Sequence, residues 1–365
     1  MDLANHRRVR GSGSGFSGSL NQLFITGLAA FCYNSASKSG EAATLIRILL
    51  IMLLGLWMAL GPGVRVAAAA DAPPEPPATC GPIFTDTCIP IEAHHASLGV
   101  LGSLAVYTAN FSQNWRPVST KGDLYGFSMP VRFTYGPAKN LETYIIAPFI
   151  VNWVNNVDRS VAGPNGERSA SYAGLGDITT VAKYLVLEEG EIRPAVTLVG
   201  GVTWPSGHAS HLNPRLLVMG GGADAVGTGA FTFITGVNLF KWVKPFLLYS
   251  SVWLNSPVNI YKMTAGNAKE PPVRAMESVT FNLAAEYPLT KKWILLLEMY
   301  STWTWNTILT PVGFQVPSTI LGFLPGIECR VTGKWSFTAG CAFDTIGKNP
   351  TSRTIVPTFT VSYNF

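Results

Sequence analysis

The stretch IVPTFTVSYNF (355–365), at the C-terminal end of the sequence, alternates apolar and polar residues. One side of an extended chain would carry Ile355, Phe359, Val361, Tyr363 and Phe365, and the other side carries threonine, serine and asparagine. A period of two residues is typical of a β-strand with one buried face. The pattern therefore predicts a strand that runs to the last residue and needs an apolar environment on one side.

The same alternation recurs along the chain from residue 97 onward. The predicted strands are 97–112, 124–135, 141–153, 173–187, 191–204, 227–240, 243–255, 276–288, 292–305, 317–331, 334–345 and 354–365. Beyond residue 95 no apolar run reaches the roughly 18 residues that a membrane-spanning helix requires. The segments therefore predict a β protein.

The connections between these strands alternate in length. The short ones are 136–140, 188–190, 241–242, 289–291 and 332–334, and the long ones are 113–123, 154–172, 205–226, 256–275, 306–316 and 346–353. Short turns at one rim and long loops at the other are typical of outer-membrane barrels. We predict an all-β fold: a transmembrane antiparallel up-and-down β-barrel of about 12 strands over 97–365, in the bacterial outer membrane, with lipid against its apolar face.

Aromatic residues fall at the ends of the predicted strands. Next to long loops lie Trp115, Trp153, Trp204, Trp253, Trp303 and Trp305, and at short turns lie Trp242, Trp293 and Trp335. The short-turn rim also carries Tyr135, Tyr184, Tyr287 and Phe365. Because indole and phenol rings prefer the headgroup layer, this distribution predicts two aromatic girdles. The alternative is a soluble β-sandwich with the tryptophans clustered in its core.

The stretch RILLIMLLGLWMALGPGVRVAAAADA (47–72) has the features of a secretory signal peptide. A basic flank, Arg47, precedes the apolar run 48–60, and alanines at 68–70 offer a cleavage site. We assign 45–70 to this signal; the alternative is an uncleaved anchor helix. Residues 1–44 precede the signal, and we predict that they are either the product of a misassigned start or an extended leader.

The segment 71–96 is rich in proline at its start, which predicts an extended, mobile chain in the periplasm. Cys80 and Cys88 lie eight positions apart, and in an oxidising compartment they are predicted to form a disulfide. A barrel of about 12 strands lies between small barrels filled by side chains and large ones with an aqueous channel, which predicts a narrow, partly plugged conduit with this segment as the obvious plug candidate.

Charged residues on the inward parity of the strands have two interpretations. The candidates are Arg132, Asp177, Lys183, Arg193, Glu286, Glu298, Glu328, Arg330 and Asp344. They either form ion pairs that fill the interior or line a pore and set its selectivity. The loop 205–226 adds an apolar patch that would admit solutes at the barrel mouth or simply pack as a cap; its members are Leu212, Leu216, Leu217, Val218 and Met219.

Residue types also narrow the function. The net charge is +5, but residues 1–70 hold six basic and two acidic residues, which leaves 20 basic and 19 acidic residues in the rest. This nearly neutral body predicts no nucleic-acid partner. No predicted strand interior carries histidine, so we expect neither an enzyme site on the wall nor a cofactor. His208, His211 and Asp224 could hold a metal, but solvated loop histidines are the favoured interpretation. Cys329 and Cys341 are predicted to face lipid unpaired.

The stretch AGLGDITTVAKYLV (173–186) resembles a strand of the outer-membrane family named for meta-pathway phenol degradation. Further similar stretches follow in order: RPAVTLVGGVTWPSG (193–207), GTGAFTFITGVNL (227–239), NLAAEYPLTKKWILLLEM (282–299) and FTVSYNF (359–365). The loop 206–226 is longer and more apolar than the family pattern. The resemblance implies a transport-like barrel linked to uptake of aromatic or hydrophobic compounds. The terminal Phe365 resembles the signal that the barrel assembly machinery recognises.

Two functions follow from these predictions. The first is a passive, porin-like outer-membrane channel for small, apolar or aromatic solutes. The alternative is a non-conducting structural or interaction barrel whose loops or N-terminal segment bind a partner protein complex.

Overall fold

The structure is a computed structural model that describes residues 81–162, 164, 166–207, 226–259, 275–310, 313–349 and 351–365. The predicted leader (1–44), the signal (45–70) and residues 71–80 lie outside this part of the chain. The strands are β1 (Ala96–Phe111), β2 (Pro117–Val118), β3 (Asp123–Ala138), β4 (Leu141–Asn155), β5 (Ala170–Leu175), β6 (Ile178–Leu187), β7 (Ala195–Trp204), β8 (Ala230–Val243), β9 (Phe246–Asn259), β10 (Ser278–Pro288), β11 (Trp293–Thr304), β12 (Ile308–Thr310), β13 (Gly313–Gln315), β14 (Thr319–Arg330), β15 (Trp335–Lys348) and β16 (Ser352–Asn364), with one helical turn, α1 (Arg159–Ala162).

The main sheet closes on itself and forms a barrel of antiparallel strands. Around the wall the order is β16, β15, β14, β11, β10, β9, β8, β7, β6, β4, β3 and β1, and β1 pairs again with β16. The seam is sealed at the short-turn rim, where Ala96 and Phe365 exchange two backbone hydrogen bonds of 2.9 Å. Closure satisfies the backbone groups that lipid cannot, so the predicted barrel of twelve strands is confirmed. Among the described residues, no helix has the length and apolar character needed to cross a membrane.

The strand boundaries agree with the sequence pattern except at a few places. The predicted strand 173–187 is broken into β5 and β6, which both pair with β4. The prediction of a long connection at 346–353 is wrong, because β15 and β16 extend until only residues 349–351 separate them. The pairing of β15 with β14 continues to Lys348 after a register shift between Leu321 and Gly322, which the sequence pattern does not show.

The wall has an apolar outer face and a more polar inner face. Along β11 the outward Leu295 and Leu297 are 43 % and 54 % exposed. The next residue, Glu298, points inward and is fully buried. Outward aromatics of the short-turn rim are exposed as predicted, namely Tyr135, Tyr184, Tyr287, Trp293, Trp335 and Phe365. An apolar outer band with an aromatic rim is the surface that lipid covers.

Trp253 is wrongly predicted to belong to the outer girdle. It faces the lumen, where its Nε1 donates a hydrogen bond of 2.8 Å to Oδ1 of Asn238. Its position follows from the register of β9, in which Leu247 and Tyr249 also point inward and are buried. Position near a strand end therefore does not decide the face of a tryptophan; the parity of the strand does.

A charged side chain introduced on the outer face tests whether lipid covers that face. Leu297→Arg, in the middle of β11, is expected to lower the free energy of unfolding in vesicles by about 2–4 kcal/mol, because arginine is costly near the bilayer midplane. Leu187→Arg is the matched control at the short-turn rim, where the same change should cost no more than about 1 kcal/mol. Equal effects in urea titrations of the two folded proteins would contradict a membrane-spanning wall.

Candidate functional site: the plugged lumen

Residues 81–95, which we call the plug, lie inside the barrel at its short-turn end. The plug enters next to β1, where His94 donates its backbone N–H to the carbonyl of Gly136. It then contacts the wall at β4, where the N–H of Ile91 donates to Glu142 at 2.9 Å, and reaches Glu298 of β11 on the far side. The described part of the segment predicted to be periplasmic therefore crosses the lumen.

Glu298 fixes the tip of the plug. Its two carboxylate oxygens accept hydrogen bonds from three successive backbone N–H groups, at 2.5 Å from Ile83, 3.0 Å from Phe84 and 2.7 Å from Thr85. The ring of Phe84 meets Tyr300 edge-on, with 5.1 Å between centroids. A carboxylate that accepts several N–H groups in a buried site forms strong charge-assisted bonds. The tip is therefore held by hydrogen bonds to Glu298 as well as by the aromatic contact with Tyr300.

Four charged groups form a buried ion cluster across the plug. Asp86 of the plug lies 3.1 Å from a guanidinium nitrogen of Arg132 and 3.2 Å from Nζ of Lys183. Glu142 completes the cluster, 3.2 Å from Arg132 and 2.9 Å from Lys183. The two cations balance the two carboxylates. Lys183 is fully buried and also donates to the carbonyl oxygen of Thr87 at 2.9 Å.

Neutral groups extend the ion cluster. Nδ2 of Asn238 donates to Asp86 at 2.9 Å, and the ring of Tyr144 lies 3.7 Å below the guanidinium of Arg132. Because every buried charge has a partner of opposite sign and further hydrogen bonds, the cluster can be both buried and stable. Its members come from β3, β4, β6, β8 and the plug, so folding the barrel and seating the plug are coupled.

The titration of Asp86 gives the seated plug a pH dependence. Burial raises the pKa of this carboxyl, but Lys183 and Arg132 outweigh burial and hold the pKa below its usual value. A lowered pKa contributes stability that is present above the ordinary pKa of about 3.9 and is lost as pH falls through the folded value. We expect the plug to become protease-sensitive below about pH 4. In Asp86→Asn the plug should be looser at neutral pH, and an unchanged acid transition would contradict this assignment.

Cys88, in the middle of the plug, is fully buried. It forms no disulfide with another described cysteine, and its Sγ is 3.3 Å from Oγ1 of Thr197 on β7. Burial raises the pKa of its thiol to about 11. The predicted partner Cys80 lies outside the described residues, so the disulfide stays a prediction. Cys329 and Cys341 likewise form no disulfide with a described cysteine.

A cavity of about 830 Å³ surrounds the plug in the short-turn half of the lumen. Its wall includes apolar side chains such as Leu101, Ile146 and Val181 and hydroxyl groups such as Thr360 and Ser362. The volume is sufficient for a small organic molecule. The plug therefore narrows the lumen without filling it.

At the long-loop end, residues after β4 fold over the barrel wall. Val157 and Ala162 pack against the inward Leu124 and Val154, and all four are buried. Asp344 of β15 is held by two hydrogen bonds. The hydroxyl of Tyr300 donates to it at 2.9 Å, and the backbone N–H of Thr354 donates at 2.8 Å. This end of the lumen is therefore partly covered by the loop that carries α1.

The structure brings most of the charged lumen candidates inside the barrel. Buried on the inner face are Lys183, Glu286, Glu298, Glu328 and Asp344, and half-buried are Arg132 and Arg330. Asp177 lies at the break between β5 and β6, where it accepts hydrogen bonds from the N–H groups of Gly207 and Thr228. Arg193 is exposed in the turn before β7, so its assignment to the lumen is wrong.

Other predicted residues lie outside the described part of the chain. The apolar patch of Leu212, Leu216, Leu217, Val218 and Met219 belongs to residues 208–225, as do His208, His211 and Asp224. Within the described ranges, no group of three or more histidine, cysteine, aspartate or glutamate side chains is arranged to hold a metal ion.

Sequence reasoning missed several residues that hold the plug. Glu142 shares the inward parity of Tyr144 and stands directly after a short turn, so the alternation of β4 could have found it. Thr197 and Asn238 stand at inward positions of β7 and β8 in the same way, but only their contacts with the plug show their role. Asp86 gave no such signal, because it lies outside any strand.

The closed barrel, its apolar outer face and its charged lumen together define a bacterial outer-membrane β-barrel. No protein-family model matches the chain, and no curated protein matches it. The resemblance to the phenol-degradation family therefore stays a prediction.

Solved structures give the same class. The COG4313 outer membrane channel from Pseudomonas putida F1 has a TM-score of 0.60 and 12 % sequence identity, and the match covers 78 % of this chain and 100 % of that chain. At this identity the likeness shows the fold alone. The translocator domain of autotransporter NalP from Neisseria meningitidis (TM-score 0.39, 9 % identity, covering 76 % of this chain and 90 % of that chain) also matches. So does the P. putida toluene transporter TodX (TM-score 0.35, 8 % identity, covering 75 % and 91 %). These last two TM-scores are too low to carry an argument.

Proposed function

We propose that this protein is a passive outer-membrane channel for small, apolar or aromatic solutes. The observation that carries the proposal is the cavity of about 830 Å³ that remains beside a well-anchored plug. A barrel meant only as a scaffold gains nothing from an internal space of this size, whereas a selective channel needs a narrow passage. The similar fold of the COG4313 channel supports the proposal at the level of architecture.

The cavity wall agrees with this class of solute. Leu101, Ile146 and Val181 provide apolar contact, and the ring of Tyr144 provides an aromatic surface. Small-molecule sites combine an apolar lining with a few polar groups that orient the ligand. The resemblance to the phenol-degradation family points to aromatic compounds as the cargo. The comparisons give no support to a non-conducting interaction barrel.

We also propose that the barrel assembly machinery recognises Phe365. Its side chain is 53 % exposed at the short-turn rim, next to Tyr363, and lies where β16 closes the wall.

Solute uptake into vesicles tests the channel directly. The full-length protein is inserted into phospholipid vesicles, and swelling is followed in isotonic phenyl glucoside, an aromatic solute that crosses lipid slowly. We expect swelling that depends on the amount of inserted protein. Vesicles with the folded barrel that swell no faster than empty vesicles would refute the proposed channel.

A further inference from the structure

We propose that neutral solutes cross the short-turn half of the barrel between the plug and the wall formed by β15, β16 and β1, and that Gly99 of β1 sets the width of this passage. This inference rests on the proposed channel function, and it specifies the route and the charge class of the solute.

The anchors of the plug define one side of the lumen. From Ile83 to Ile91, the plug is bound by side chains of strands that are successive neighbours in the wall, apart from β9: Glu298 of β11, Asn282 of β10, Asn238 of β8, Thr197 of β7, Lys183 of β6, Glu142 of β4 and Arg132 of β3. The plug is therefore fastened to a continuous arc of the wall. A solute cannot pass between the plug and the anchoring side chains of this arc without breaking buried hydrogen bonds and ion pairs.

The cavity wall that does not hold the plug comes from β9, with the bulky side chains of Leu247, Tyr249 and Trp253, and from β15, β16 and β1. In β15, β16 and β1 the lining residues other than Leu101 and Asn364 are small or hydroxylic: Ala96, Ser97, Gly99, Thr338, Thr360 and Ser362. Thr338, Thr360 and Ser362 occupy inward positions of their strands, as does Ser97, which pairs with Asn364. This wall leaves more open space than the anchored arc, where long side chains reach the plug.

The charges of the cavity determine which solutes it suits. The cavity-lining residues of β15, β16 and β1 in the described chain include no charged side chain. Asp86 of the plug and Arg132 and Glu142 of the arc are paired within the ion cluster. The other charged residue of the plug that lines the cavity, Glu92, is acidic and lies 3.7 Å from Nδ1 of His95. An anionic solute would lose hydration and meet the carboxylate of Glu92, whereas a neutral solute finds hydroxyl groups and apolar contact. The passage therefore favours neutral solutes.

Gly99 is a place where an added side chain can narrow the passage, because it lines the cavity on β1. A Cβ at this position would have Oγ of Ser362 as its nearest neighbour at 3.6 Å, and the carbonyl of Arg132 at 4.0 Å. Both are ordinary contacts, so a larger side chain fits the backbone and extends into the cavity. Gly200 of β7 offers a matched control, because a Cβ there meets nothing within 4 Å and its neighbour Leu198 shows that this parity faces outward.

The experiment compares Gly99→Trp with Gly200→Trp in the full-length protein in vesicles. Swelling is measured with phenyl glucoside and with phenyl glucuronide, which differ in that the second carries a carboxylate. We expect wild type to admit the glucoside about tenfold faster than the glucuronide, because selectivity follows from the groups lining the pore. Gly99→Trp should reduce glucoside uptake about tenfold, and Gly200→Trp should leave it within about twofold.

Each outcome separates the inference from the channel function. If wild type swells and folded Gly99→Trp swells equally fast, the route is wrong; if both solutes enter at equal rates, the charge class is wrong. If wild type admits neither solute, the proposed channel itself fails. Ser362→Trp closes the same passage from β16 and replaces Gly99→Trp if that variant does not give the heat-resistant band of a folded barrel on gels.

Discussion

Lys183→Met is expected to release the plug and raise the ion conductance of the barrel several-fold. Methionine keeps the length of the side chain but removes its charge, so Asp86 and Glu142 share a single cation, Arg132. Removing one partner of a buried ion pair costs about 3–5 kcal/mol. The barrel wall keeps its backbone ladder, so this cost falls mainly on the seating of the plug.

Single-channel recordings in planar bilayers measure this effect. The matched control is Lys139→Met, which removes an exposed lysine 3.8 Å from Glu188 at a short turn. Exposed ion pairs contribute little, so the control should conduct like wild type. Wild-type conductance in folded Lys183→Met would show that the ion cluster does not hold the plug.

A disulfide between the plug and the wall is expected to cancel the effect of Lys183→Met. Thr197→Cys, made together with Cys80→Ser in all variants of this test so that Cys88 is unpaired, places a second thiol opposite Cys88, where the present side-chain atoms are only 3.3 Å apart. Such proximity suits a disulfide. With the bond formed during refolding, Lys183→Met/Thr197→Cys should show the low conductance of wild type, because the plug can no longer leave.

Reduction provides the internal control for this prediction. Dithiothreitol added to the same channel should raise its conductance to that of Lys183→Met. The variant Lys183→Met/Thr197→Cys/Cys88→Ser lacks the bond and should conduct at the high level before and after reduction. A high conductance that persists in the oxidised double variant, with the disulfide verified by mass spectrometry, would mean that the current does not pass where the plug sits.

The barrel could be predicted from sequence because its physics is local and periodic. A strand with lipid on one side and a polar lumen on the other must alternate, and β11 and β16 do so over almost their whole length. The short turns also repeat at one rim, which fixes the up-and-down topology. By the same parity Glu298 lies on the inner face of β11, where it accepts hydrogen bonds from the plug.

The seat of the plug could not be predicted in this way. Residues 81–95 have no periodic pattern, and their partners are separated from them by up to 215 positions in sequence. Arg193 shows the limit of parity: it was assigned to the lumen by extending the pattern of β7 backward, but the strand begins only at Ala195. Alternation states which face a residue takes inside a strand and gives no information beyond the strand end.

Hydrogen exchange at the tip of the plug tests the central claim, namely that residues 81–95 are seated inside a closed membrane barrel. In the full-length protein in lipid, the amides of Ile83, Phe84 and Thr85 donate to the buried Glu298. We predict that they exchange as slowly as amides in the barrel strands. Exchange of these three amides within seconds, at the rate of an exposed loop, would contradict the seated plug, the route beside it and the control of conductance by Lys183.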